Sequence, residues 1–293
     1  MKQGWLLGFL AAVIVVVAMP FPADVPCETF PLLERSFATA PARSTGGLTI
    51  ATLNMAEETD LETVIRDLSQ SDDMRQADVL LLQEVVYSHD IPEGMPVSLA
   101  RRLGYWLAFA PADRMDQTTV RGLAILSRLP LRDGEIIPLD RQNLGFKQRC
   151  RIGLGVTAEG SCGPLRIFNV HFDSRINTEA RLRQLRPILQ SAAVFNGPRI
   201  IGGDFNTANF FWIGHLLPLP YLQFQGQAVR EVLQAQGYAT PFENTGRTFA
   251  YLPLKLDWIF FKDLQTLEAG VATVPFSDHQ GLWARVGPRA KNK

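Results

Sequence analysis

The sequence predicts an α/β fold: a four-layer α/β sandwich of two packed, mainly antiparallel sheets flanked by helices. Three observations point there. Segments with strand patterning outnumber helical ones. Several apolar runs are short and apolar on both faces, as strands buried between two layers must be. Six of the strand-like segments carry a carboxylate, amide or imidazole at one end, which a single shared rim would explain.

The elements follow in order. Residues 48–54 (LTIATLN) alternate β-branched and small residues and read as a strand. Residues 60–69 place Leu61, Val64, Ile65 and Leu68 on one helical stripe. Residues 78–84 (DVLLLQE) form a buried strand, residues 96–103 a short helix, and residues 105–110 (YWLAFA) a strand stopped by Pro111. Residues 122–128 (GLAILSR) are a further strand ended by Pro130. Residues 149–157 and 165–172 make two more, joined by a longer hairpin loop holding Gly160 and Gly163. Residues 178–195 read as a helix with Leu182, Leu185, Leu189 and Ala192 on one face and a kink at Pro187. Residues 199–201 form a short strand that stops at Gly202-Gly203. Residues 227–236 are a helix closed by Gly237. Residues 256–261 and 282–286 are the last strands.

The 293 residues, 46% apolar and 20% charged, are enough to bury a core without staples. Lys+Arg and Asp+Glu balance at 29 each, which removes a global basic footprint for nucleic acid but leaves a local patch open. Cys27, Cys150 and Cys162 make neither a disulfide framework nor a C-x-x-C metal site. Cys150 alternates with Arg149 and Arg151 and shares a face with Ile152 and Leu154. That pattern favours a buried thiol over a bridge to Cys162 or Cys27.

Residues 1–23 carry Lys2 as their one charged side chain ahead of Asp24, and residues 5–19 (WLLGFLAAVIVVVAM) are continuously apolar until Pro20 and Pro22. A basic start before such a run is the pattern of a signal peptide or signal anchor. The expected organisation is that segment at 1–23, a Pro-containing linker at 24–46, a catalytic domain at 47–288 and a tail at 289–293. The expected location is exported, periplasmic or extracellular, or membrane-anchored.

The chemistry-bearing residues stand where strands end: Asn54, Gln83-Glu84, His171 with Asp173, Asp204 with Asn206, Asp257, and Asp278-His279. Taken singly each has an ordinary explanation. Glu84 reads as a surface acid, Asp204-Phe205-Asn206 as an Asx turn, His279 as a structural imidazole and Asp257 as an ion-pair partner. Their joint occurrence is what points to a site.

The strings LTIATLN, LLLQEV, GLAILSRLPL, IFNVHFDS, IIGGDFNTA, KLDWIFF and SDH occur here in that order. Together they resemble the successive motifs of the endonuclease/exonuclease/phosphatase superfamily, of DNase I-like metal-dependent phosphoesterases, over roughly residues 48–287. The resemblance implies a four-layer sandwich. It assigns Glu84, Asn54 and Asp278 to the metal end, with Glu84 as ligand and Asn54 in support. It places Asp204 and Asn206 beside the scissile phosphate, Asp204 positioning or deprotonating the water. His279 would contact a phosphate oxygen, oriented by Asp257, and His171 matches the DNase-like members. The implied ion is Mg²⁺, with Mn²⁺ as the alternative, and no organic cofactor. A hard cation on few carboxylates neutralises an anionic phosphoester, while the imidazoles and Asn206 donate to transition-state oxygens. No Ser or Cys stands in a nucleophile setting.

The substrate class stays open among nucleic acid, phospholipid and inositol phosphate, and no obligate protein partner is evident. Lys147, Arg149 and Arg151 alternate on one strand face, either as an anion-binding row or as a solvated face. Phe210, Phe211 and Trp212 follow the GDFNTA string as a lipid-facing or base-stacking lid or, the favoured reading, as a core anchor. The contrasting function is a catalytically inactive binding protein on the same fold, which would have lost a core residue of the motif set.

Overall fold

The structure, a computed structural model, describes residues 27–38, 47–91, 93–142, 144, 149–160 and 163–289. In chain order the strands are β1 (Leu33–Ser36), β2 (Leu48–Asn54), β3 (Val79–Ser88), β4 (Trp106–Arg114), β5 (Thr119–Ser127), β6 (Leu131–Pro138), β7 (Ile152–Gly160), β8 (Gly163–His171), β9 (Arg199–Asp204), β10 (Phe210–Ile213), β11 (Leu217–Pro220), β12 (Asp257–Lys262), β13 (Leu264–Thr273) and β14 (Gln280–Pro288). The helices are α1 (Leu61–Ser69), α2 (Asp72–Arg75), α3 (Met95–Leu103), α4 (Thr178–Ala193) and α5 (Gln225–Ala235).

One sheet has the order β1-β4-β5-β3-β2-β14-β13 and the other β12-β9-β8-β7-β6. Among the described strands only β2–β3 and β8–β9 pair in parallel; the other pairings are antiparallel. The period of two along β3 sorts its side chains by layer. Val79 and Leu81 enter the core between the sheets, on the side that Ile167 and Ile200 share with Asn169 and Gly202. Leu80 and Leu82 face the other way, onto Val64 and Leu68 of α1 and Leu99 of α3. On the far side Leu185, Ile188 and Ala192 of α4 and Val229 and Leu233 of α5 join the core of the second sheet. The four-layer sandwich is therefore present as the patterning indicated.

Helix starts obey capping chemistry. Asp60 caps α1, its Oδ1 accepting the Glu62 N–H at 3.2 Å and its Oδ2 the Thr63 hydroxyl at 2.7 Å. α4 continues through Pro187 as one element. The proline removes one N–H, and the buried Leu185–Ile188–Ala192 face holds the helix together across it.

Several expectations are corrected. The stretch read as a linker contains β1, which pairs with β4 from Leu33↔Phe109 to Ser36↔Trp106. β4 runs past Pro111, because a register shift between Pro111 and Asp113 accommodates the missing donor. β9 runs through Gly202-Gly203 to Asp204. At Gly203 (φ +139°) an added Cβ would lie 2.1 Å from the Val170 carbonyl oxygen, so the glycine permits close approach of β8 and β9 rather than ending the strand. β7 and β8 pair as far as Gly160↔Gly163, leaving a two-residue connection instead of a longer loop.

Cys150 is not a lone buried thiol. It is half-buried and bonded to Cys27, 123 residues earlier, with a Cα–Cα distance of 5.7 Å. The alternation around Cys150 misled because residues 149–151 precede β7 instead of lying in it, so no strand face turns the sulfur inward. Closing a loop of that length restricts the unfolded chain by about 5 kcal/mol on the chain-entropy account. Cys27→Ser should lower the melting temperature by on the order of 10 °C, and dithiothreitol should do the same to the wild type. Equal melting of wild type and variant under oxidising conditions would show that the bond contributes nothing.

Candidate active site

The topology gathers the chemistry at one rim. The parallel pairs end together, Asn54 opposite Gln83 and His171 opposite Asp204. β12, antiparallel to β9, begins there with Asp257 opposite Asp204. β14, antiparallel to β2, begins there just after His279.

Glu84 reaches the site by a bulge. Between Leu82↔Ala124 and Val85↔Gly122 two residues of β3 oppose one of β5. Glu84 itself sits at φ +54°, a left-handed conformation that costs a non-glycine residue about 1 kcal/mol or more. The bulge turns its carboxylate toward His171 Nε2 (3.8 Å) and Arg149 Nη1 (3.7 Å). Beneath it Gln83 Nε2 donates to Asn169 Oδ1 (2.7 Å) and Thr52 Oγ1 (3.0 Å). Asn169 Nδ2 donates to the carbonyls of Leu82 and Ala124, both at 2.9 Å. This buried polar crosslink ties the two sheets together directly under the rim.

Asp204 is the hub. Its Oδ1 accepts the Asn206 N–H (2.8 Å), and its Oδ2 accepts Asn206 Nδ2 (3.0 Å) and Asn54 Nδ2 (3.2 Å). Burial, and next to it the Asp257 charge, push its carboxyl up to about 7. Asn206, at φ +51°, also donates from Nδ2 to the Phe172 carbonyl at 3.0 Å. The Phe205–Asn206 turn is held from behind by Arg181, which is fully buried and donates to the Phe205 and Asp173 carbonyls at 2.5 and 2.9 Å.

The two histidines have opposite states. His171 Nδ1 accepts from Arg151 Nη1 at 3.1 Å, so its proton is on Nε2, 3.4 Å from Asp204 Oδ2. Burial, then the neighbouring Arg151, hold it well below its usual value, and it is neutral. His279 Nδ1 donates to Asp257 Oδ2 at 2.8 Å. Burial opposes its charge, but Asp257, Asp204 and Asp278 outweigh burial and raise it to about 10, so it is an imidazolium at neutral pH. Ser277 fixes this turn, donating to the Asn54 carbonyl (2.6 Å) and accepting the His279 N–H (2.9 Å).

Of the residues named from sequence, Asn54, Glu84, His171, Asp204, Asn206, Asp257 and His279 are joined by these contacts. Asp278, half-buried, adjoins them through its place in the Ser277–His279 turn. Lys147 falls outside the described residues. Arg149 and Arg151 lie ahead of β7, so they form no row on a strand face; they converge on Glu84, His171 and Asp173. Phe210, Phe211 and Trp212 are half-buried in the β10–β11 hairpin, neither fully a core anchor nor fully exposed. Sequence reasoning missed Arg181 altogether and the role of Asn169 inside the string IFNVHFDS, and it read Arg151 only as part of an anion-binding row or a solvated face.

The donors fit a divalent cation. Atoms of Asp204, Asp257 and His279 lie within 4.8 Å of one another. Asp257 Oδ1 is buried without a hydrogen-bond partner among the described residues. With His279 protonated its ring has no lone pair to offer, so of that trio only the Asp204 and Asp257 carboxylates could face a hard ion.

Comparisons agree with this geometry. A family model described as Endonuclease/Exonuclease/phosphatase family matches residues 51–279. A UPF0294 protein of Yersinia enterocolitica is 28% identical over 125 residues, 42% of this chain; the match spans 43% of that relative's length. An endonuclease/exonuclease/phosphatase structure from Beutenbergia cavernae aligns with TM-score 0.64 at 18% identity, covering 83% of this chain and 72% of that one. A family protein from Leptotrichia buccalis aligns with TM-score 0.61 at 20% identity, covering 82% and 99%. With strand ends, buried acid–imidazole pair and family model in agreement, the chain belongs to the endonuclease/exonuclease/phosphatase family.

Proposed function

We propose that this protein is an exported or membrane-tethered phosphoesterase, dependent on Mg²⁺ or Mn²⁺, that hydrolyses its substrate by direct attack of water. The observation that carries the reading is the Asp204 carboxylate, oriented by Asn54 and Asn206 beside the Asp257–His279 pair. A carboxyl held near neutrality is suited to take a proton from water at physiological pH. Cationic His279 donates to a non-bridging phosphate oxygen, a bond that strengthens as charge builds in the transition state. Neutral His171 presents its Nε2–H to the same region. Glu84, Asn54 and Asp278 would hold the metal. The ion, when bound, neutralises the phosphate and stabilises the departing oxygen.

Two features support the location. The apolar run at residues 5–19 behind Lys2 has the form of an export signal or anchor, although it lies outside the described residues. No described helix is long and apolar enough to cross a membrane. The Cys27–Cys150 bond suits an oxidising compartment.

The substrate class is tested on the purified full chain with bis-p-nitrophenyl phosphate, plasmid DNA, sphingomyelin and inositol phosphates, with Mg²⁺, with Mn²⁺ and with EDTA. Metal-dependent release from at least one is expected. No turnover of any of them would favour the inactive binding protein instead.

A further inference from the structure

The exposed apolar residues gather at the rim of the site. Thirteen large hydrophobic side chains are exposed among the described residues. Six of them, Ile213, Leu216, Leu217, Tyr221, Leu222 and Phe224, lie in the β10–β11 hairpin and the segment leading from it to α5. Two more, Tyr251 and Leu252, stand in the loop ahead of β12. Both segments are fastened to the reaction centre. Asn177, just past β8, clamps the hairpin, accepting the Trp212 N–H at 2.7 Å and donating to its carbonyl at 3.0 Å. Phe249 bridges to His279, and its ring centroid lies 5.4 Å from the imidazole and 5.6 Å from the Tyr251 ring. Residues 205–229 contain no Asp, Glu, Lys or Arg, although they begin directly after Asp204. An apolar patch of this kind, rimmed by polar chemistry, marks an interaction surface. Pro218 and Pro220 deprive β11 of an N–H at two of its four positions, so it is a poor template for a partner's strand.

The N-terminal chain says what covers it. Residues 5–19 are continuously apolar, and from Met19 to Cys27 the backbone reaches at most about 29 Å even when fully extended. Cys27 is bonded to Cys150, which stands between Arg149 and Arg151, the residues that meet Glu84 and His171. A chain tethered through residues 5–19 is therefore tethered at its active-site end. We propose that the β10–β11 hairpin and the Tyr251–Leu252 loop rest in the interface of a phospholipid bilayer and hold the reaction centre at headgroup level. Uncharged aliphatic side chains beside Tyr and Trp suit that depth, with rings among the headgroups and aliphatic groups below them. The orientation rests on the membrane-tethered reading; the apolar rim does not.

The test uses the full chain with Cys162→Ser, labelled with a fluorophore at Leu222→Cys or at Val194→Cys. Val194 is the most exposed of the thirteen and lies at the opposite end of the domain, five residues before β9 sets out from Arg199 toward Asp204. Each protein is reconstituted in phosphatidylcholine vesicles with and without nitroxide-bearing lipid. The nitroxide should quench the Leu222 label severalfold more than the Val194 label. Adding Leu217→Glu, at an exposed position, should remove that difference without changing the melting temperature. Sedimentation with the vesicles reports the tether separately. A chain that sediments while its Leu222 label stays unquenched keeps the tether and overturns the docking surface; a chain that stays in solution overturns both. Shielding of the Leu222 label that grows with protein density and ignores the nitroxide would assign the surface to a second copy and also overturn the proposal. Equal quenching at both positions would do the same.

Discussion

His279→Ala should lower turnover by on the order of a hundredfold or more while leaving divalent-ion affinity largely intact, equivalent to about 2.7 kcal/mol of transition-state stabilisation. The imidazolium owes its charge to Asp257, whose Oδ2 takes the Nδ1–H at 2.8 Å. That bond fixes the ring and leaves Nε2–H as the donor. Asp257→Asn keeps the ring but removes the charge that holds its proton, so a smaller loss is expected. The double variant should be little worse than His279→Ala alone, because the two residues act as one unit. The measurement is kcat for the three variants at saturating Mg²⁺. Multiplying effects would mean that Asp257 works independently of His279, and its role would pass to the metal or to the fold.

Glu84→Gln should be at least as severe, with hydrolysis falling by on the order of a thousandfold, since a metal supplies several kcal/mol to such a transition state. The substitution preserves size and can still occupy the bulge at φ +54°, so melting should change little. It removes the negative charge that a hard cation requires. Divalent-ion titration should show weakened binding in parallel with lost turnover. Wild-type rates in EDTA, or normal ion binding by the variant, would remove Glu84 from the metal end.

The site was more legible than the fold's edges. Residues such as Glu84, His171, Asp204 and His279 stand out because each interrupts or ends an apolar run, where an unpaired polar group is costly. The strands the sequence did not reveal are mostly peripheral: β1, β13 and β6 each sit at a sheet edge. Nine of the ten residues of β13 are exposed or half-buried, so the strand has no apolar alternation to read. β10 and β11 form a small separate hairpin with prolines at 218 and 220. Gly202-Gly203 looked like a stop, although glycine there serves contact with Val170. Pairings between distant residues left no local trace at all. Nothing near Cys27 marks Cys150 as its partner, and nothing near Arg181 marks the Phe205 carbonyl as its target.

β14 occupies an interior place in the larger sheet, between β2 from the start of the domain and β13 just before it. It is the last of the described strands in chain order, and His279 immediately precedes it. Until it is in place β2 has an open flank, the Asp257 carboxylate lacks its imidazole, and the Asn54 carbonyl lacks the Ser277 hydroxyl. The centre is thus complete only once the last described strand is in place. A chain lacking β14 therefore lacks both an interior strand and the imidazole of the site, which couples assembly of the centre to completion of the larger sheet.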